Sequence, residues 1–304
     1  MLDVRRLRDR RNVIQMNVFA TIVFSVAIAA SSCHSGLQAP SHSADSNCTL
    51  APTTGPLVVL VNSSAGAVIP GSVPPRFVLY ADGTVVYTAK GDSGYGYVTS
   101  RLTPCEVVSL VKEIGPGSIT ALNGQQFSAS TATDQSVSSL MIWQPDASVV
   151  VASVYGWHSD WRSEWSGPDA MAPPPELDEA LRTVVRFSRP DAVPYEPPAF
   201  RFYDGGGGYL PMKPIGKWPS HWPDLSLAKP IGFGPWRAIN VGGLTTEEVR
   251  SVLGASNLHF WCSVTVARGK TAVMYRPVFR DEASWSVEIG LTSDTVASAK
   301  PAPN

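Results

Sequence analysis

The stretch RFVLYADGTVVYTA, residues 76–89, decides the fold class of this chain. It contains two runs of apolar, β-branched and aromatic residues, and the pair Asp82-Gly83 lies between them. Asp-Gly suits a tight type I′ turn, because both central residues of that turn need positive φ. We therefore predict an antiparallel hairpin here and a domain assembled from further hairpins around it.

Two more hairpins are predicted further along the chain. LMIW and SVVVASVY, residues 140–143 and 148–155, flank the turn sequence QPDA. LHFWCSVTV and TAVMYRPVF, residues 258–266 and 271–279, flank Arg268-Gly269. Short single strands are predicted at residues 56–61, 95–100 and 199–203.

Helices complete the predicted elements. The first begins with TPCE, in which Thr103 is the N-cap and Glu106 completes a capping box. The second covers PPPELDEALRTVVRF, residues 173–187, with its leucines and valines on one stripe, and the third begins at Thr245. The chain has 25 Gly and 26 Pro and only 16% charged residues, a composition that favours strands and turns. We expect a β-rich α+β fold of antiparallel hairpins with about three helices.

The sequence around the first helix recurs at the third. LTPCEVVSLV, residues 102–111, aligns with LTTEEVRSVL, residues 244–253, with the same Leu-Thr start and the same Glu. Two interpretations stay open: the chain holds two related β-helix-β lobes, or capped helices look alike because capping boxes recur for physical reasons. We place a first β-rich lobe at residues 56–189. A second lobe, at residues 190–292, includes a segment rich in proline and aromatic residues.

An export signal precedes these lobes. Five arginines are followed by the apolar run 18–30, whose 13 residues are fewer than the roughly 20 that a membrane-spanning helix needs. We assign residues 1–32 to a signal peptide that is removed. Its end, ASSC, resembles the lipobox of bacterial lipoproteins, although Ala30 stands where a leucine would make the resemblance stronger. The resemblance implies that Cys33 carries a lipid and becomes the mature N-terminus.

Alternatives to this anchor stay open. Ordinary cleavage, for instance after Ala30 or near Ala39, would leave Cys33 as a plain thiol or remove it. Arg10-Arg11 is similar to the pair in twin-arginine export signals. In each case the chain is exported. With the lipid it is anchored at the extracytoplasmic face, and His34 favours the outer membrane in a cell that has one.

Residues 33–55 and 293–304 are rich in small and polar residues and poor in large apolar ones, so we predict a flexible tether and a disordered tail. Without the signal, 19 basic and 23 acidic residues remain, and the net charge is −4. This balance implies no basic face for nucleic acid. Contact with a membrane is expected through the N-terminal lipid.

Three cysteines remain once Cys33 carries a lipid: Cys48, Cys105 and Cys262. Outside the cytoplasm, two of them are expected to pair. Because Cys262 lies in an apolar predicted strand, we favour a disulfide between Cys48 and Cys105. No pair of cysteines has the spacing of metal ligands, and we predict neither a metal nor a cofactor.

One motif suggests catalysis. GDSG, residues 91–94, matches the tetrapeptide around the nucleophile of trypsin-like serine proteases, which need an upstream histidine base. The upstream histidines, His34 and His42, lie in the predicted tether, which cannot hold a base within hydrogen-bonding distance. We therefore interpret GDSG as a loop between strands and predict no catalytic residue. Ser93 is the candidate nucleophile of an alternative function, an envelope hydrolase acting on cell-wall or protein substrates.

Tryptophans form the candidate binding surface. Trp157, Trp161 and Trp165 are four residues apart and would share one face of a helix. Trp218 and Trp222 are each followed by a proline. Two interpretations stay open: exposed rings stack on a sugar or a peptide, or the rings are buried as lids over sheet edges.

Two segments carry a resemblance to a family. GSVPPRFVLYADGTVVY, residues 71–87, and YRPVFRDE, residues 275–282, are similar to segments of uncharacterised secreted proteins and lipoproteins of high-GC bacteria. That family has no assigned activity. The resemblance therefore implies a location outside the cytoplasm and a fold architecture, and it assigns no functional residue. The sequence therefore favours an envelope lipoprotein with a non-catalytic binding or scaffolding domain, whose partner is an envelope protein or a glycan.

Overall fold

The computed structural model describes residues 48, 55–63, 71–91, 94–133, 135–158, 172–205, 216–231, 235–253, 261–266 and 269–285. These residues belong to one compact unit, Ser46–Asn304. The predicted signal peptide and tail, Cys33, Ser93, Trp161 and Trp165 lie outside the described residues. Within the described part of the chain, no helix has the length and apolar composition that crossing a membrane requires. The boundaries of the predicted lobes stay a prediction.

The first of two sheets has eight strands in the order β5-β7-β6-β1-β2-β3-β4-β8. Its strands are β1 (Pro56–Ser63), β2 (Pro75–Tyr80), β3 (Thr84–Gly91), β4 (Gly94–Arg101), β5 (Gln126–Ser128), β6 (Val137–Trp143), β7 (Val149–Tyr155) and β8 (Val193–Pro194). All neighbours are antiparallel except β5 and β7. The predicted hairpins of this region are therefore the backbone of one sheet.

The second sheet has six strands in the order β10-β13-β14-β9-β12-β11. Its strands are β9 (Ala199–Asp204), β10 (Gly216–Lys217), β11 (Lys229–Pro230), β12 (Arg237–Gly242), β13 (Trp261–Val266) and β14 (Gly269–Val278). Only β10 and β13 pair in parallel among these described strands. The sequence analysis did not predict β12, because Val241 is its one fully buried side chain and its apolar pattern is weak.

The helices are α1 (Pro104–Ile114), α2 (Pro116–Thr120), α3 (Pro175–Arg186), α4 (Thr246–Leu253) and α5 (Glu282–Trp285). The three longest, α1, α3 and α4, are the predicted ones. At α1, Thr103 Oγ1 accepts a hydrogen bond from Glu106 N, and Glu106 Oε2 accepts one from Thr103 N at 2.8 Å. The predicted capping box is thus confirmed, as is the β-rich α+β fold with antiparallel sheets.

The turn at Asp82-Gly83 differs from its prediction. Three residues connect β2 and β3, and Gly83 has a φ of +84°, whereas Asp82 lacks the positive φ that a type I′ turn needs. A loop of three residues that ends in a left-handed glycine is the common alternative in hairpins. A Cβ atom at Gly83 would lie 2.2 Å from the carbonyl oxygen of Leu102, so the close approach of that chain also requires glycine.

Each sheet packs one face on helices. In the first sheet, α1, α2 and α3 cover one face, and residues from the far end of the chain, Phe279 and Trp285, pack on the other. In the second sheet, α4 and the 3₁₀ turn Leu225–Leu227 cover one face. The first sheet is therefore buried on both sides.

The two similar helices sit differently in their sheets. Val107 of α1 and Val249 of α4 occupy aligned positions, and both are fully buried. After α1, the hairpin β6–β7 joins the first sheet through β6, which pairs with β1. After α4, the hairpin β13–β14 joins the second sheet through its second strand, β14, which pairs with β9. The similarity thus covers the capped helix and does not extend to the order of the strands.

Candidate functional site

Two segments singled out in the sequence, residues 71–87 and 275–282, lie against each other, and we call the contact between residues 71–87 and residues 275–285 the seam. Arg276 of β14 is at its centre and is 1% exposed. Its Nε donates to the carbonyl oxygen of Gly71 at 2.6 Å, and Tyr203 OH donates to the same oxygen. The guanidinium also pairs with both carboxylate oxygens of Glu282, with Nη1 at 2.9 Å from Oε2. The seam therefore has as its core a buried ion pair that also hydrogen-bonds to the backbone.

A second arginine completes the seam at the surface. Arg280 Nη1 and Nη2 donate to the two carboxylate oxygens of Asp82 at 2.8 and 3.1 Å. The same guanidinium lies 4.1 Å from the centre of the Tyr80 ring, a cation–π contact. Hydrogen bonds from Arg280 are the main reason why the pKa of Asp82 is well below its usual range. Asp82, expected to serve only the turn, also joins the two sheets.

Aromatic rings surround Phe279 at one end of the seam. Tyr97 meets the Phe279 ring edge-on with centroids 5.2 Å apart, and Tyr195 stacks on it at 5.7 Å. Tyr97 OH donates to the carbonyl oxygen of Pro75 at 2.7 Å. Burial raises the pKa of Tyr195 to about 12, and burial also raises the pKa of Tyr97. Both phenols are therefore neutral hydrogen-bonding groups at physiological pH.

A cleft of about 750 Å³ opens beside these tyrosines, between β3 and β4 of the first sheet and β14 and α4 of the second. We call it the inter-sheet cleft. It is lined by Ala89, Lys90, Gly96, Tyr97, Val98, Pro194, Tyr195, Glu196, Pro197, Phe200, Thr246, Glu247, Arg250, Ser251, Tyr275 and Pro277. Seven of these sixteen residues are aromatic or proline, and four carry charged side chains.

The charged side chains of the inter-sheet cleft differ in whether they already have a hydrogen-bond partner in the protein. Glu196 Oε2 accepts a hydrogen bond from Thr246 N at 3.0 Å, so this carboxylate closes the start of α4. Arg250 is half-buried, and its Nη2 lies 3.5 Å from the place that a Cβ atom on Gly96 would take. Within the described part of the chain, Arg250 has neither a hydrogen-bond acceptor nor an ion-pair partner. Its donors are therefore available to a ligand.

Of the three predicted tryptophans that the structure describes, two are buried. Trp157 is 2% exposed and its Nε1 donates to Asp178 at 2.7 Å, while Trp222 is 4% exposed and its Nε1 donates to Glu248 at 2.9 Å. Both follow the packing interpretation, because a covered ring cannot stack on a ligand. Trp218 is half-buried and meets Trp222 edge-on, with ring centroids 5.0 Å apart. It borders a smaller cavity of about 480 Å³.

Cys48 and Cys105 form a disulfide, the pairing that the sequence favoured. Cys105 lies in the first turn of α1, so this bond fastens the predicted tether to the helical face of the first sheet. Cys262 lies in β13. Across the described residues, no group of three or more His, Cys, Asp or Glu side chains is arranged to hold a metal ion.

The sequence analysis missed the inter-sheet cleft, because its residues come from four distant segments. One local signal for Arg250 was present in the aligned helices. Where α1 has Val108, an apolar residue that is 36% exposed, α4 has Arg250. Gly91 and Gly94 pair at the end of the β3–β4 hairpin, while Ser93 between them is outside the described residues.

Comparison with protein-family models, with curated proteins and with solved structures finds no match to this chain.

Proposed function

We propose that this chain is an exported, lipid-anchored protein of the bacterial envelope whose β-rich unit binds a partner and does not catalyse a reaction. The observation that carries the proposal is the inter-sheet cleft, whose size and mainly apolar walls are typical of ligand sites. A few charged groups at such a site fix the orientation of a ligand. The seam supports the proposal, because its buried ion pair fixes the two sheets that form the walls.

The chemistry of the cleft favours binding over catalysis. General acids and bases work best when their pKa lies near the working pH. In the cleft, burial moves the pKa of Tyr195 to about 12, away from neutrality, and that of Tyr97 in the same direction. The Glu196 carboxylate is already bound to the backbone of α4. These groups are suited to holding a ligand rather than to moving its protons.

The experiment is photo-crosslinking in the native cell, with a photoreactive residue in place of Lys90 at the rim of the cleft. We expect a crosslinked partner. The crosslink should disappear when Gly96→Val adds a bulky side chain to the lining of the cleft. The matched control places the same residue at Leu227, which is 65% exposed in the 3₁₀ turn Leu225–Leu227 and outside the cleft. Equal crosslinking from both positions, or no effect of Gly96→Val, would contradict a binding role of the cleft. The intact mass of the membrane-extracted protein tests the anchor, which requires a mature chain that begins at a lipid-bearing Cys33.

A hydrolase is the second candidate function. The observation that favours it is the position of Ser93 in the connection between β3 and β4, since both strands line the cleft. Labelling of the folded protein by a fluorophosphonate probe, with loss of labelling in Ser93→Ala, would support hydrolysis over binding. A protein that takes no label would leave the binding proposal in place.

A further inference from the structure

The outer edge of β4, beside the inter-sheet cleft, is only partly paired among the strands that the structure describes. β8 covers the outer edge of β4 only at Val98 and Thr99, and Tyr195 N adds one hydrogen bond to Tyr97 O at 3.0 Å. From Gly94 to Gly96, no strand among the described residues pairs with this edge. Since outward-facing backbone groups alternate along a strand and Tyr97 O faces outward, the backbone groups of Tyr95 face the same way. An open edge of this kind pairs with an extended peptide.

The walls beside this edge suit a peptide as well. Pro194, Pro197, Phe200, Tyr275 and Pro277 line the same cleft. Rigid aromatic and proline surfaces receive apolar side chains at a low cost in conformational entropy. A peptide that pairs with the outer edge of β4 as an additional strand would therefore place alternate side chains against these walls.

A cation marks one position along the edge. Arg250 reaches Gly96 from α4, and its Nη2 lies 3.5 Å from the place of a Cβ atom on Gly96, an ordinary contact distance. A guanidinium presents a planar fork of donors that matches a carboxylate, and such charge-assisted bonds are among the strong ones. Glu247 lines the same cleft, and its carboxylate would repel a second negative charge on the ligand. The site thus suits one carboxylate flanked by apolar residues.

We propose that the inter-sheet cleft takes an extended peptide segment of an envelope protein, which pairs with the outer edge of β4 and places the carboxylate of one Asp or Glu side chain on Arg250. This inference rests on the proposed binding function and adds the class of ligand to it. Arg250 is then a specificity residue, and Gly96 lies beside it in the lining of the cleft.

The test selects ligands from a phage-displayed library of random linear peptides on the folded full-length protein. We expect selected peptides to share one acidic residue within an apolar sequence. Isothermal titration of a selected peptide should show that replacing its Glu by Gln, or Arg250 by Gln, weakens binding by at least about tenfold. Arg250→Lys should restore part of the affinity, because it keeps the charge and lacks the fork. Gly96→Val should abolish binding.

Arg186→Gln is the matched control, because it removes the same charge from an exposed position at the end of α3. It should leave the affinity unchanged. Selected peptides that bind Arg250→Gln as tightly as wild type, yet fail on Gly96→Val, would overturn the carboxylate assignment and leave the cleft as the binding site. Binding that survives both variants would overturn this inference and the proposed function together. Failure to select any peptide, with cleft-dependent binding of chitooligosaccharides instead, would overturn the peptide class in favour of a glycan.

Discussion

Two arginines four residues apart on the same segment link the second sheet to the first, and they differ in burial. The side chain of Arg276 is 1% exposed and pairs with Glu282, whereas that of Arg280 is 44% exposed and pairs with Asp82. Arg276 also donates to the backbone of Gly71, and Glu282 accepts from Phe279 N at 2.8 Å. The buried pair therefore also hydrogen-bonds to backbone groups of the seam, while the hydrogen bonds of the exposed pair run mainly between its own two side chains.

The difference shows why ion pairs of similar geometry have unequal weight. An exposed pair contributes little, because water and salt screen it and two long side chains lose freedom. Breaking a buried pair leaves a charge without a partner in a medium that solvates it poorly, at a cost of about 3–5 kcal/mol. We infer that Arg276 determines how the two sheets meet and that Arg280 adds a small increment.

The largest effect is expected from Arg276→Met. This change leaves the Glu282 carboxylate buried without its cation and should lower the free energy of unfolding by about 3–5 kcal/mol in urea denaturation. As a control, Arg276→Met combined with Glu282→Leu should lose less than the sum of the two single changes, because no buried charge remains. A loss no larger than that of Arg280→Ala would remove the distinction between the two arginines.

The next largest effect is expected in alkali, which should weaken the contact of Tyr195 with Phe279 at one end of the seam. The pKa of Tyr195 is raised from 10.0 to about 12 by burial, so its folded form stays neutral where its unfolded form ionises. Its contribution to stability is thus complete below pH 10.0 and is lost as the pH rises to about 12, on the order of 2–3 kcal/mol. Chemical denaturation across this range, read with tyrosinate absorbance, measures the loss. Tyr195→Phe should make the loss less steep without abolishing it, because burial also raises the pKa of Tyr97 and of Tyr80. An equally steep loss in that variant would exclude Tyr195 as one of its sources.

The smallest effect is expected from Asp82→Asn, which removes the exposed pair and should cost less than about 1 kcal/mol. Because the folded pKa of Asp82 lies below its ordinary 3.8, the contribution of Asp82 is present above that pH and is lost as the pH falls below it. Unfolding measured at low and high salt gives the check, since screening should shrink the difference between wild type and variant. A difference that is large and independent of salt would place Asp82 with the buried pair.

Local structure was predictable from the sequence where neighbouring residues determine it. The capping box at Thr103 and the hairpin turn QPDA formed as expected, since their bonds span a few residues. The seam was not predictable in this way, because Gly71 and Arg276 are separated by 205 positions and meet only through folding.

The aligned glutamates of the two similar helices make the same point. Glu106 returns to its own N-cap and also binds Arg189. The side chain of Glu248 binds Trp222 and His221 instead. The same residue type at the same position of the motif therefore contacts a distant segment. Sequence indicates that such a carboxylate starts a helix, and tertiary packing decides what else it binds.

The disulfide has a consequence for reach. With the proposed anchor at Cys33, the 15 peptide steps to Cys48 span at most about 50 Å, whereas the 23 steps to Pro56 would span about 80 Å. Closing the bond to Cys105 thus limits how far the start of α1 can stand from the membrane surface. Reduction of this one bond would lengthen the permitted distance by roughly half. The thiol–disulfide state of the compartment then sets how far from the membrane the protein can reach the proposed partner.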